Sequence, residues 1–168
     1  MYQEIFKMLY KKAKPLKDPT DAEHAYGYAL FLLNLRMQTE TEMREKMARR
    51  GYIAQVINNT IERLYKDRYL DDNKFAELSI ENMKLYKNYG YYGMKKKLIE
   101  KKLPKNIIEE KLDELVDVGA EKEIAKKYLK KEFGTISEIK KLPYDEKQKV
   151  MRRLLSRGFR MEIIELIK

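Results

Sequence analysis

Apolar residues recur along this chain at the three- and four-residue spacing of amphipathic helices. No segment alternates apolar and polar residues convincingly in the manner of a strand. The pattern breaks where a capping hydroxyl, a glycine or a proline falls, as at Thr39, Gly51, Pro104 and Gly158. The sequence therefore predicts an all-α fold of short helices joined by tight turns.

One stretch of this pattern occurs three times, beginning at Met43, Met94 and Val150. Each copy is followed by a second apolar run, and a period of roughly 50 residues is typical of stacked helical repeats. We predict three three-helix, helix-turn-helix-like repeats that follow a short N-terminal helix. The predicted boundaries are 1–19 for the N-terminal helix and linker, 20–68 for repeat 1, 69–118 for repeat 2 and 119–168 for repeat 3.

Superposing the three copies shows which positions of the second helix are apolar. With Met43, Met94 and Val150 as position zero, positions four and five are apolar in every copy. They are Met47, Leu98 and Leu154 at position four, and Ala48, Ile99 and Leu155 at position five. We predict that both positions face the core.

Positions three and seven of the same helix are basic in every copy and lie one turn apart. We name them the basic stripe: Lys46, Arg50, Lys97, Lys101, Arg153 and Arg157. Secondary basic candidates lie beside it at Arg49, Lys95, Lys96 and Arg152. Long basic side chains often lie along a core edge with solvated ends. Repetition of the same charge in three copies favours a repeating anionic partner, such as a phosphate backbone or a polymer of identical subunits.

Composition narrows the chemistry further. The chain of 168 residues carries 37 Lys and Arg against 27 Asp and Glu, and the net charge of +10 favours an anionic partner. The absence of cysteine excludes disulfides, cysteine metal sites and cysteine nucleophiles. No apolar run approaches the length of a membrane span and no signal peptide is evident, so we expect a cytoplasmic protein.

Candidate catalytic or metal-binding groups are few. His24 is the only histidine, which argues against a histidine metal site or a catalytic triad. Asp71 and Asp72 point about 100° apart at a helix start, so we interpret Asp72 as a helix cap. The segment from Gly90 to Gly93 lacks the preceding strand of a phosphate-binding loop and is interpreted as a turn. We predict no enzyme activity, no metal and no cofactor.

Four motifs, in this order along residues 20–168, resemble the RecX family. They are Thr39-x-x-Glu42 through Gly51, Asp71-Asp72-x-x-Phe75-Ala76, Gly90-x-x-x-Met94-x-x-x-Leu98-x-x-Lys101, and Leu154-x-x-Arg157-Gly158-Phe159. The positions interpreted as structural are Thr39, Glu42, Gly51, Asp72, Phe75, Ala76, Gly90, Leu98, Gly158 and Phe159. Two positions depart from the family pattern: Lys97 replaces a glutamate, and Lys102 replaces a glycine. Because lysine is strained in the left-handed region, we expect the helix before Lys102 to end differently.

The resemblance implies a modulator of the RecA recombinase with three tandem three-helix repeats in an elongated, curved body. Such a protein lies in the groove of the RecA–DNA filament and limits filament growth or promotes disassembly. Lower ATPase, strand exchange and co-protease activity follow. The expected partner is the RecA filament, with sequence-independent contact to single- or double-stranded DNA and none to membranes. We expect a monomer.

A DNA-binding protein built from helix-turn-helix-like repeats is the main alternative. Base reading needs hydrogen-bond donors near the start of a recognition helix. The third helices carry Asn106, Glu109 and Glu110 in repeat 2 and Glu162 and Glu165 in repeat 3, and carboxylates repel phosphates. Base-specific recognition is therefore disfavoured, while weak, salt-sensitive DNA contact stays open. A helical adaptor for an unrelated acidic protein is a third interpretation.

Overall fold

The structure, a computed structural model, describes residues 16–167, and regular structure in that range is helical. The helices are α1 (Ala22–Leu35), α2 (Glu40–Arg50), α3 (Ala54–Lys66), α4 (Asp72–Asn82), α5 (Tyr91–Glu100), α6 (Lys105–Leu115), α7 (Val118–Glu132), α8 (Ile136–Ile139), α9 (Tyr144–Ser156) and α10 (Met161–Ile164). A π-helix (Met83–Lys87) continues α4, and a 3-10 helix (Glu165–Ile167) continues α10. The all-α prediction is confirmed for these residues. The predicted N-terminal helix, which takes up the first part of residues 1–19, lies outside them.

The first of two compact units comprises residues up to 36 and residues 43–70. Helices α1 and α3 pack against each other, and α2 adds Met43 and Met47, both fully buried. Gly51 ends α2 with a φ of 106°, and the backbone N–H groups of Gly51 and Tyr52 both donate to the carbonyl of Met47. This is the left-handed helix end that the sequence predicts at Gly51.

The second unit comprises residues 37–42 and 71–168. Helix α6 packs against both α4 and α5, and α10 packs against α7 and α9. One continuous core runs through the unit, and its fully buried large side chains include the following: Ile80, Met94, Leu98, Ile108, Leu112, Leu129, Ile139 and Leu154. The boundaries of the three repeats stay predictions.

Two helices in the second unit differ from the prediction, one in where it begins and one in being present at all. Helix α5 begins at Tyr91 rather than near Gly93, because its first N–H groups find partners elsewhere in the unit. The short helix α8 is not predicted, since four residues are too few for a periodic pattern. It is held by a capping box in which Thr135 and Glu138 each accept a backbone N–H from the other.

The assignment of Asp72 as the cap of its own helix is wrong. Asp71 takes that role, because its side chain accepts the N–H of Lys74 at 2.9 Å. Asp72 is the first residue of α4, and its side chain is buried. It accepts instead from the backbone N–H of Glu40, at the start of α2, at 2.9 Å.

The end of α5 also differs from expectation. Lys102 has a φ of 60°, so α5 ends in the left-handed turn that glycine forms in α2. The N–H of Leu103 donates to the carbonyl of Leu98, as the N–H of Tyr52 does to Met47. The expectation of a different helix end at Lys102 is therefore wrong, and the strain of a lysine in this conformation is tolerated.

Candidate functional site

The start of α2 is held by groups from two later helices, a set of contacts that we name the first joint. The hydroxyl of Thr39 accepts the N–H of Glu42 and donates to the carbonyl of Lys101, which follows α5, at 3.0 Å. Asp72, at the start of α4, accepts the N–H of Glu40. Residues 37–42 belong to the second unit, so these contacts lie within one compact body. The Thr39 hydroxyl and the Asp72 carboxylate thus each accept a backbone N–H at the N-terminal end of α2.

The start of α5 is held in the same way by the first turn of α7 and by the residues that follow α9. We name these contacts the second joint. The N–H of Gly90 donates to the carbonyl of Arg157 at 3.1 Å, and that of Tyr92 donates to Gly158 at 2.9 Å. Glu121, in the first turn of α7, accepts the N–H of Tyr91 at 3.0 Å. The C-terminal end of α9 therefore lies directly against the N-terminal end of α5.

Glu121 is fully buried and caps a second helix as well. It accepts the N–H of Arg160, immediately before α10, and forms an ion pair with the Arg160 guanidinium at 3.4 Å. That guanidinium lies over the ring of Tyr91, whose hydroxyl donates to Asp113. Burial, reinforced by this hydrogen bond, raises the pKa of the Tyr91 phenol to about 12, so that it stays a neutral donor.

Sequence reasoning missed Glu121, although a signal for it exists. Phe75-Ala76 in repeat 2 and Ile124-Ala125 in repeat 3 are equivalent apolar pairs, and aligning them places Glu121 over Asp72. Both carboxylates accept the first N–H of the preceding repeat's second helix. In this chain, an acidic residue three positions before the apolar pair therefore indicates a joint.

Repeat 2 has two members of the basic stripe, Lys97 in α5 and Lys101 directly after it, and both have acidic neighbours. Lys97 pairs with Glu100 at 2.8 Å, and this hydrogen bond raises the pKa of the Lys97 ammonium. Lys101 lies 3.5 Å from Glu42. Both lysine side chains are nearly half exposed, so each can still meet a partner's charge.

The two stripe members of repeat 3, Arg153 in α9 and Arg157 directly after it, are placed differently from each other. Arg153 is exposed. The guanidinium of Arg157 donates to the carbonyls of Lys87 and Asn88 and lies 4.2 Å from the centre of the Tyr128 ring. These contacts give Arg157 a structural role beside the second joint.

On α2, Lys46 and Arg50 are both half-buried, and the Arg50 guanidinium lies 6.0 Å from the ring centre of Tyr28. Of the secondary candidates, Lys95 pairs with Glu109 at 2.9 Å. The other three are exposed: Arg49, Lys96 and Arg152. Lys96 and Arg152 occupy position two of their copies, one residue before the stripe, and they offer more exposed charge than Arg157.

The prediction that position five faces the core is wrong. Ala48 is exposed, and Ile99 and Leu155 are 56% and 49% exposed. At about 100° per residue, positions zero and four lie about 40° apart, whereas position five lies about 100° beyond position four. Position seven returns to within about 20° of position zero. This geometry explains why the position-seven cations are half-buried while the position-five aliphatics face solvent.

Residues 16–167 contain no group of three or more histidine, aspartate or glutamate side chains placed to share a metal ion. His24 instead hydrogen-bonds to the hydroxyl of Tyr52 at 2.6 Å. Over the same range, no helix combines the length and apolar character that a membrane span requires.

Comparison with known proteins gives two matches to family models, along separate parts of the chain. Residues 25–64 match the model described as "RecX, first three-helix domain", and residues 120–167 match "RecX, third three-helix domain". The chain belongs to the RecX family. The resemblance inferred from the four motifs is confirmed, together with the three-helix architecture.

Relatives and solved structures agree with this assignment. The regulatory protein RecX of Streptococcus gordonii is 30% identical over 141 residues, which are 82% of this chain and 52% of that protein. That of a Mycobacterium species is 30% identical over 116 residues, 69% of this chain and 63% of that protein. The crystal structure of RecX from Lactobacillus salivarius shares the fold, with a TM-score of 0.77 and 24% identity over 88% of this chain and 94% of that one. The chain thus spans about half to two thirds of the curated relatives it matches.

Proposed function

We propose that this protein is a regulator that binds the RecA–DNA filament and mainly inhibits the recombinase. It limits filament growth or promotes disassembly, with lower ATPase, strand exchange and co-protease activity. Relatives that carry the name regulatory protein RecX support a regulatory role. The observation that carries the proposal is the repetition of basic positions on and directly after α5 and α9, two helices held end to end at the second joint.

A repeated basic surface suits a polymeric partner. A single recombinase subunit offers only one weak contact to each copy of the basic stripe. Successive subunits, touched by successive repeats, add such contacts through a short tether, and the combined binding exceeds that of any single contact. If these contacts fit an inactive filament arrangement better than the active one, binding shifts the filament population toward the inactive one.

Sequence-independent DNA binding is the alternative that the charge distribution favours next. Arg49, Lys96, Arg152 and Arg153 are exposed on second helices, where they can meet phosphates. On the third helix of repeat 2, the Glu109 carboxylate pairs with Lys95, and a carboxylate neither donates to a base edge nor attracts a phosphate. DNA contact of this kind weakens steeply with added salt.

The deciding experiment is a titration of the single-stranded-DNA-dependent ATPase of the cognate RecA at two salt concentrations. The proposal predicts inhibition at protein concentrations well below that of RecA. Inhibition that requires enough protein to coat the DNA, and that is lost at higher salt, would favour the DNA-binding alternative. No inhibition under either condition would reject the proposed regulation.

The basic stripe is tested by replacing Lys97 and Lys101 together with glutamine. Helicity should stay unchanged, since both side chains are nearly half exposed, while inhibition should need severalfold more protein. The matched control is Lys126→Gln with Lys130→Gln on α7, which removes the same charge at the same helical spacing. Lys126 also matches Lys97 in exposure and in having a glutamate partner, Glu123. Unchanged inhibition by the Lys97/Lys101 variant would remove these lysines from the proposal.

A further inference from the structure

A cavity of about 530 Å³ opens on the second unit between α4, the π-helix and the C-terminal half of α5. We name it the repeat-2 groove. Its apolar lining comes from Met37, Phe75, Leu78, Met83, Tyr89 and Leu98. Phe75, Met83 and Leu98 are buried, whereas Met37 and Leu78 are 43% and 46% exposed. The volume falls in the range of cavities that hold a ligand or a few side chains of a partner.

The rim of the repeat-2 groove is basic. Three lysines line it, Lys87, Lys97 and Lys101, against the single glutamate Glu100. Lys97 and Lys101 belong to the basic stripe, so the groove and the stripe coincide in repeat 2. Lys87 is exposed, and within residues 16–167 its ammonium makes no ion pair. The groove therefore presents an apolar floor beneath a rim with an excess of positive charge.

We propose that the repeat-2 groove binds a protein segment in which acidic side chains flank one or two apolar side chains. The inference rests on the proposed function, since it gives the contact with the filament a chemical identity. An apolar side chain inserted between Leu78 and Met37 removes both from water, which is the main source of affinity at protein interfaces. The flanking carboxylates face the rim lysines, which fixes the orientation of the segment.

A nucleic acid strand fits the groove less well. A phosphate backbone would leave the apolar floor of the groove unfilled. Single-strand binding uses aromatic faces on which successive bases stack. The aromatic residues that line the groove are the buried Phe75 and the partly buried Tyr89, which do not form an exposed row. The observations therefore favour a protein segment.

The test replaces Leu78, which contributes apolar surface and no charge, with serine. The control is Leu85→Ser, the same change at a site 52% exposed that does not line the groove. Each protein is titrated against RecA filaments assembled on fluorescent single-stranded DNA with a non-hydrolysable ATP analogue, and against the same DNA without RecA. Filament binding is measured by co-sedimentation and naked DNA binding by fluorescence anisotropy.

We expect Leu78→Ser to weaken filament binding about tenfold, the loss that corresponds to an apolar side chain no longer buried at the interface. Binding to naked DNA should not change, and Leu85→Ser should match the unmodified protein in both assays. Filament binding by Leu78→Ser at full strength would overturn the groove proposal, as would an equal loss for naked DNA, which would indicate a nucleic acid in the groove. Failure of the unmodified protein to bind filaments would instead reject the proposed function, and the groove's partner with it.

Discussion

The first joint connects two helix ends through a side chain, whereas the second joint brings two helix ends into direct backbone contact. At the first, the Thr39 hydroxyl stands between α2 and the carbonyl of Lys101. At the second, the N–H of Gly90 reaches the carbonyl of Arg157 with nothing between. The left-handed residue that ends the later helix is Lys102 in one case and Gly158 in the other.

This difference shows which positions need glycine. A Cβ on Gly90 would clash with the Cα of Phe159, and one on Gly158 would clash with the backbone nitrogen of Gly93. The hydroxyl bridge of the first joint leaves room for side chains at both ends. The departure of this chain from the family pattern at Lys102 is therefore tolerated at the first joint. A lysine in place of Gly158 would not be tolerated, because its Cβ would clash with the backbone of Gly93.

The largest expected effect concerns the buried carboxylates. Glu121→Ala removes the acceptor of two backbone N–H groups and the ion-pair partner of Arg160, all within the core. We expect a loss of about 3–5 kcal/mol in the stability of the second unit. Asp72→Ala removes the acceptor of the Glu40 N–H and should cost about 1–2 kcal/mol. Hydrogen exchange of second-unit amides measures both.

Glu121→Gln is the companion variant should Glu121→Ala fail to fold. It keeps an oxygen that can accept N–H groups and loses only the charge, so the loss should fall between those of the two alanine variants. Equal destabilisation by Glu121→Ala and Asp72→Ala would contradict the inference that the second joint depends more on Glu121 than the first joint does on Asp72.

The second prediction breaks the backbone contact. Gly90→Ala places a methyl group against the backbone of Phe159 and Gly158 and should destabilise the second unit by about 1–3 kcal/mol. Thr39→Ala, at the equivalent position of the first joint, loses a hydroxyl bridge and should cost about 1 kcal/mol. Urea denaturation followed by circular dichroism measures the changes.

The matched control for Gly90→Ala is Gly27→Ala within α1, where an added Cβ would meet no atom within 4 Å. There alanine should stabilise the helix by roughly 0.5–1 kcal/mol, because it has the higher helix propensity. A Gly90→Ala protein as stable as the Gly27→Ala protein would show that the close approach is not needed.

The apolar periodicity of the sequence predicts part of the core correctly but does not reveal the joints. The apolar periodicity identified Met47, Leu98 and Leu154 correctly, since position four lies on the contact face of each second helix. It failed at Ile99 and Leu155, because being apolar in every copy does not fix the direction of a side chain. The joints connect residues 30 to 67 positions apart, and within its own helix a buried charge such as Glu121 looks like a surface residue.

A third and smaller effect is expected at Lys102. Lys102→Gly removes the cost of holding a side chain at a φ of 60° and should stabilise the second unit by about 1 kcal/mol, less any contribution from the lysine's own contacts. The reciprocal change Gly158→Ala should destabilise it by more, because strain and the clash with Gly93 act together. The denaturation midpoints of the two variants show whether each change raises or lowers the stability of the second unit. Stabilisation by both Lys102→Gly and Gly158→Ala would contradict the inference that only the second joint needs glycine at this position.

The smallest effect is a dependence on pH at the first joint. Burial raises the pKa of Asp72, and the N–H of Glu40 only partly offsets this. The folded state therefore binds a proton more readily than the unfolded chain, in which an aspartate has a pKa of about 3.9. The stability that protonation contributes is fully present below that pH and is lost as the pH rises through the folded pKa.

Asp72→Asn, which cannot titrate, should gain stability relative to the unmodified protein as the pH rises from 4 toward 7. Asp71→Asn changes the exposed neighbouring carboxylate and is the control, and a slope shared by both variants would assign the effect to overall charge instead of burial at the joint.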